Sequence, residues 1–170
     1  MKKNILILIL VLVVTLSACA EASTPRSTVK HVFDHMKTGE VEEAMKVLSR
    51  PEDAQPIIES LSEPIQAVAS KKIFQHAEIE IEDGMIFKEG NVEKAVVNVH
   101  MTSLDDESVS ELWHHLEHGL QELPSDLSRE EMIKALDKVA DELDWDNLST
   151  YRQLLRYHLI KDEGDGGKWK

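Results

Sequence analysis

Glu78-Ile79-Glu80-Ile81-Glu82 and, a little further on, Lys94-Ala95-Val96-Val97-Asn98-Val99-His100-Met101-Thr102 alternate with a period of two. A pleated strand sends successive side chains to opposite faces, so Ala95, Val97, Val99 and Met101 share one face and Val96, Asn98, His100 and Thr102 the other. These are strands of an antiparallel sheet. Between them Asp83-Gly84 reads as a turn, and Met85-Ile86-Phe87 is an apolar run short enough for one more strand.

Outside these strands the period changes to that of a helix. Val29, Val32, Phe33 and Met36 recur on one face, Ser27 or Thr28 can cap their helix, and Thr38-Gly39-Glu40 stops it. Val41, Ala44, Met45 and Leu48 form the stripe of a second helix, which ends at Arg50-Pro51. A third, from about Pro56 to Ser70, carries Ile57, Leu61, Ile65 and Val68, with Pro64 placed to kink or divide it.

After Thr102 a helical pair spans 104–145. Its first helix bears Val109, Leu112, Trp113, Leu116 and Leu120 until Leu123-Pro124. Ser128-Arg129-Glu130-Glu131 is a capping box for its second, with Met132, Ile133, Leu136, Val139, Ala140 and Leu143 inside. A longer strand follows, with Tyr151, Gln153, Leu155, Tyr157 and Leu159 on one face and Arg152, Leu154, Arg156, His158 and Ile160 on the other. Gly164-Asp165-Gly166-Gly167 then turns the chain into Lys168-Trp169-Lys170. The class is α+β: N-terminal helices on a curved antiparallel sheet, with a two-helix insertion before the last long strand.

The N-terminus reads as an address. Lys2 and Lys3 precede an apolar run from Ile5 to Leu16, too short to span a hydrocarbon core that needs about 20 apolar residues. Leu16-Ser17-Ala18-Cys19 resembles the lipobox of bacterial lipoproteins. The resemblance implies cleavage of residues 1–18, a diacylglycerol thioether on Cys19 and acylation (palmitate-type) of the new terminus, which together anchor a protein without a membrane helix. Residues 19–27 then form a lipidated cysteine and polar tether, and 28–170 a single domain. Ala20-Glu21 lacks the aspartate that often retains lipoproteins at the inner membrane. The expected place is the bacterial cell envelope, and in a Gram-negative cell the outer membrane, facing the periplasm.

Composition narrows the partners. The 170 residues carry 19 Lys and Arg against 32 Asp and Glu. Lys2 and Lys3 are the only charges in 1–18, so the processed chain has a net charge of −15. That charge repels nucleic acid, and it disfavours anionic headgroups, leaving the lipid on Cys19 as the membrane contact. Cys19 is the sole cysteine, which excludes an internal disulfide, thiol catalysis and cysteine-ligated zinc from the domain.

Four residues form the candidate metal set: Glu111, His114, His115 and His118 fall within an arc of about 100° on one helix, and His114 and His118 could share a zinc ion. The plainer reading is a solvated, pH-responsive histidine face. His31 and His35 are also one turn apart, but Val29, Val32, Phe33 and Met36 put the core on the opposite side, so both read as solvent-facing, as does Asp34. Candidate ligand-binding residues are Tyr151, Gln153, Leu155 and Tyr157 on the inward face of the long strand. No catalytic residue is assigned, because no carboxylate has an inward phase on the strands read from the alternation. Arg152 and Arg156 stand to complement Glu78, Glu80 and Glu82 on the outer face, where Val96, Leu154 and Ile160 hint at a dimer surface or at cover by the inserted helices.

Two further segments, Val29–Leu48 and Asp165-Gly166-Gly167-Lys168-Trp169-Lys170, are similar to the opening and closing of bacterial lipoprotein domains of unknown function in the nuclear transport factor 2-like (cystatin-like) superfamily. The resemblance implies a cone-shaped fold with a cavity. The function expected is a non-catalytic binding module for a small apolar ligand in that cone, or for a protein partner, with homodimerisation also open. The alternatives are a metal-dependent or isomerase-like enzyme in the same fold and a structural spacer in an envelope assembly.

Overall fold

The computed structural model describes residues 24–45, 51–162 and 167–169. Residues 1–23, with Cys19, lie outside the described residues, as do Leu48 and most of the glycine-rich turn. In chain order the elements are α1 (Pro25–Thr38), α2 (Val41–Met45), α3 (Pro51–Ser60), α4 (Pro64–His76), β1 (Glu78–Ile81), β2 (Met85–Glu89), β3 (Val92–Leu104), α5 (Asp106–Glu122), α6 (Arg129–Asp141), a short 3-10 turn (Trp145–Asn147), β4 (Thr150–Asp162) and β5 (Lys168–Trp169). All strand pairings are antiparallel, and the sheet is open: β1 and β2 lie in line along one edge of β3, followed across the sheet by β4 and β5.

Helix α1 begins earlier than the expected cap at Ser27 or Thr28. Thr24 is the cap: its hydroxyl accepts from the Ser27 amide at 3.1 Å, and the Ser27 hydroxyl accepts from the Thr24 amide at 2.9 Å. Pro25 fits the first helical position because the amide it lacks has no helical partner there. The last three residues of the expected tether therefore belong to the domain. Pro64 does divide the third helical run, and it opens α4 in the same N-terminal role.

Asp83-Gly84 is not a turn. Ile81 stands opposite Val99, the Glu82 amide donates to the Asn98 carbonyl at 3.0 Å, and Met85 stands opposite Val96. Asp83 and Gly84 thus share the single partner position of Val97, a β-bulge that bends one continuous edge strand instead of reversing it. Glycine is needed at 84 because a Cβ there would come within 2.9 Å of Pro25 Cβ and 3.0 Å of Val97 Cγ2. The start of α1 rests on the bulge, and Arg26 Nη1 reaches Asp83 Oδ1 at 3.2 Å. The reversal comes at Gly90-Asn91, where Glu89 pairs with Val92.

Two apolar clusters follow. Val29, Val32, Phe33 and Met36 of α1 pack on the inner sheet face, against Ala95, Val97, Val99 and Met101 of β3 and Leu155, Tyr157 and Leu159 of β4. On the far side of α4, Val68, Ala69 and Ile73 pack with Leu112 and Leu116 of α5 and Leu136 and Ala140 of α6. Each fully buried leucine contributes about 1.5–3 kcal/mol.

The helical pair between β3 and β4 is therefore docked on α4 and leaves the outer sheet face uncovered. Polar contacts pin it there. Lys71 Nζ lies 3.0 Å from Asp137; Lys72, only 6% exposed in its side chain, lies 3.4 Å from Asp137 and also pairs with Asp141. Trp145 donates its indole N–H to the Ala140 carbonyl at 2.9 Å and stacks on His76 with ring centroids 3.8 Å apart. The Ser128 capping box forms as expected, with the Glu131 carboxylate accepting from the Ser128 amide at 2.9 Å.

Candidate functional site

The outer sheet face is built from even-numbered residues of β3 and β4, joined after the bulge by odd-numbered residues of β2. The register sets Met85, Val96 and His158 in one row, and Phe87, Lys94 and Ile160 in the next. Farther along β3 the rows become polar: Glu82, Asn98 and Arg156, then Glu80, His100 and Leu154, then Glu78, Thr102 and Arg152. One end of the face thus mixes apolar side chains with Lys94 and His158, and the other is mostly polar and charged around Leu154. Met85 is 69% exposed, Leu154 47%, Phe87 45%, and Val92 and Ile160 each 40%.

At the charged end, Glu82 accepts from Asn98 Nδ2 at 2.8 Å and lies 3.0 Å from His100 Nε2. These two bonds, led by that from Asn98, hold its carboxyl below the usual range. Arg152 reaches past β3 to Glu80 at 3.1 Å, so the expected complementarity exists in spite of the intervening strand. Both partners are well exposed, and the pair contributes little to stability. Val96, Leu154 and Ile160 were legible as outer-face residues; Met85, Phe87 and Val92 were not, because their side depends on the bulge and on β3 starting at Val92.

On the inner face, Tyr151, Gln153, Leu155 and Tyr157 run from the rim into the core. Tyr151 is exposed, whereas Leu155 and Tyr157 are buried in the inner apolar cluster, with Tyr157 edge-on to Phe33 of α1 at 5.8 Å between centroids. Burial pushes the phenols of Tyr157 and Tyr151 up, so both hydroxyls stay protonated. Between them Gln153, opposite Met101, has a buried Nε2 whose polar neighbour is the Tyr151 phenol.

Starting β3 at Val92 also gives an inward phase to one carboxylate, Glu93, correcting the expectation that none has it. Glu93 pairs with Lys161 at 2.5 Å, and Lys161 lies over the buried Trp169. The ammonium holds the Glu93 carboxyl low, which unsuits it as a general base at neutral pH.

The structure separates the candidate metal set. His114 is 83% exposed and turns to Glu117 at 3.7 Å; His118 is 74% exposed and turns to Glu122 at 3.7 Å. His115 faces α6 and donates Nε2–H to the Val139 carbonyl at 2.8 Å, so it serves helix packing. Glu111 is exposed. No group of three or more His, Cys, Asp or Glu among the described residues is arranged to hold a metal ion.

The other histidine pair is the ordered one. His35 is not simply solvent-facing: its side chain is 21% exposed, its Nδ1 donates to Glu40 Oε2 at 2.7 Å, and its Nε2 lies 3.0 Å from His31 Nε2. Gly39, at φ +79°, turns the chain beyond α1 so that Glu40 comes back to the last helical turn; the Glu40 amide donates to the His35 carbonyl at 2.9 Å.

No protein-family model, no curated protein and no solved structure matches this chain.

Proposed function

We propose that the chain is a lipid-anchored protein of the bacterial cell envelope and that its domain is a non-catalytic binding module whose outer sheet face receives a protein partner. One observation carries the binding reading: Met85, Phe87, Val92 and Ile160 are exposed together at one end of that face, interleaved with Lys94 and His158 and next to a charged end, and are covered by no described helix. Patches of this composition on a folded domain mark interaction surfaces. The inner face is less suited to a ligand, since Leu155 and Tyr157 are already buried in the inner apolar cluster, with Tyr157 against Phe33 of α1.

Placement in the envelope rests on Leu16-Ser17-Ala18-Cys19 and the charged, apolar and small-residue segments around it. The absence, among the described residues, of any helix long and apolar enough to cross a membrane is compatible with a lipid anchor. A nuclear transport factor 2-like cone is the fold we propose within the α+β class. In its support, helices cover one face of an antiparallel sheet whose edge is bent by a bulge.

Two experiments test the proposal. A photo-crosslinking residue at Leu154 or Phe87 should capture one dominant protein in living cells, and one at the exposed Lys138 of α6 should not. Phe87→Glu should abolish the product formed from position 154. Equal capture from all three positions would remove the outer face from consideration. Separately, Cys19→Ser should eliminate acyl labelling and leave an unprocessed precursor; continued labelling would refute the anchor.

A further inference from the structure

His31 and His35 have the same i,i+4 spacing as His114 and His118, yet only the first pair converges. Their Nε2 atoms are 3.0 Å apart, and the rings meet edge-on with centroids at 4.3 Å. Two imidazoles on one tetrahedral ion, with metal–nitrogen bonds of about 2.0–2.1 Å, hold their nitrogens about 3.3 Å apart. The nitrogens are already near that separation, and opening the rings by about 1 Å between centroids turns both lone pairs onto one ion.

One ring is also held from behind. Glu40 accepts the Nδ1 proton of His35 at 2.7 Å, and the Thr38 hydroxyl lies 3.1 Å from the same carboxylate oxygen. This fixes the His35 tautomer: with the proton on Nδ1, Nε2 presents a bare lone pair, which in the free protein accepts the Nε2 proton of His31. A carboxylate behind a histidine is the outer-shell arrangement that orients metal ligands and raises their basicity.

We infer that His31 Nε2 and His35 Nε2 form a bidentate site for a divalent transition-metal ion of the zinc–copper class, with Glu40 as the positioning residue. The ion takes the place of the proton the two nitrogens share, and exposed His31 shifts that proton to its own Nδ1. Only two protein atoms bind, so water completes the coordination and the site is open to a further donor. The affinity order follows nitrogen-donor chemistry, with Cu²⁺ above Zn²⁺. Nearby Lys30 is engaged by Asp34 at 2.5 Å, which offsets its charge.

The test is calorimetric titration of the purified full chain with Zn²⁺ and then Cu²⁺, followed in parallel by the imidazole nitrogen resonances. One ion per chain should bind, with shifts confined to His31 and His35. His31→Ala or His35→Ala should abolish the heat, and circular dichroism should show α1 intact, since alanine is the best helix former. Glu40→Gln should weaken binding about 10–100-fold while leaving the stoichiometry unchanged. His114→Ala/His118→Ala should bind as the parent does. Absence of binding by the parent, binding retained in the His31→Ala/His35→Ala double variant, or loss of it in His114→Ala/His118→Ala would each overturn the assignment.

Discussion

On the inner face of β3 and β4, Val97, Val99, Met101 and Leu159 are at most 2% exposed, whereas on the outer face of the same strands Leu154 and Ile160 are 47% and 40% exposed. The side chains come from adjacent residues and are chemically alike. What separates them is that α1 packs on one side of the sheet and nothing described packs on the other. Alternation creates two faces, and the covering of one is decided by helices that arrive from elsewhere in the chain.

The comparison is most directly broken by truncation. Leu159→Ala should cost about 3 kcal/mol in urea unfolding, because it opens a cavity in a closed core. Leu154→Ala on the same strand should stay within about 0.5 kcal/mol. Equal losses would mean that the outer face is covered in solution. A smaller effect tests whether the α5–α6 pair is held away from that face. Lys72→Ala leaves Asp137 and Asp141 without their buried ammonium, and should cost about 2 kcal/mol; Lys72→Met, which keeps the apolar stem, should recover part of it. Weaker still, Ser128→Ala should cost about 1 kcal/mol, through loss of the hydroxyl that caps the Glu131 amide at the start of α6.

The smallest effects lie in acid, and they divide the molecule in the same way. On the helical side, burial first and Lys72 second lower the His76 pKa below 6.5. The unfolded chain therefore takes up that proton more readily, so His76 contributes stability that is present above pH 6.5 and lost as pH falls through the lowered folded value. On the outer face, the lowered Glu82 contributes stability that is present above pH 4.5 and lost below it, as pH falls through its own folded value. His76→Phe, which keeps a ring on Trp145, should flatten the first window in urea unfolding followed from neutral to acid pH. Glu82→Gln should flatten only the second. If either variant flattened the other's window, the two sides would be coupled more closely than their separate contacts imply.

Much of the fold was legible from local pattern. The alternation at Lys94–Thr102 is the interior of β3, the one at Tyr151–Ile160 is the interior of β4, and the stripes Val29–Met36, Leu112–Leu116 and Leu136–Ala140 are the buried helix faces. The Ser128 box and the division at Pro64 were also readable, because each depends on residues within one turn of the chain. The bulge was not, because Asp83-Gly84 has the composition of a turn, and only pairing with Val97 and contact with Pro25 distinguish the two. The site was less legible than the fold. His114 and His118 share spacing with His31 and His35, and the difference between the pairs is made by Glu40, which returns only because Gly39 ends α1 in the left-handed conformation.

The sequence by itself determined the α+β class, the two faces of each long strand, the acidic surface and the single cysteine, since periodicity and composition are properties of neighbouring residues. Only the tertiary structure decided which face is covered, which edge Met85 and Phe87 extend, and which histidines converge. Those outcomes depend on contacts such as Pro25 with Gly84 and Lys72 with Asp141, between residues far apart in the chain, and burial there overrides the meaning of any local pattern.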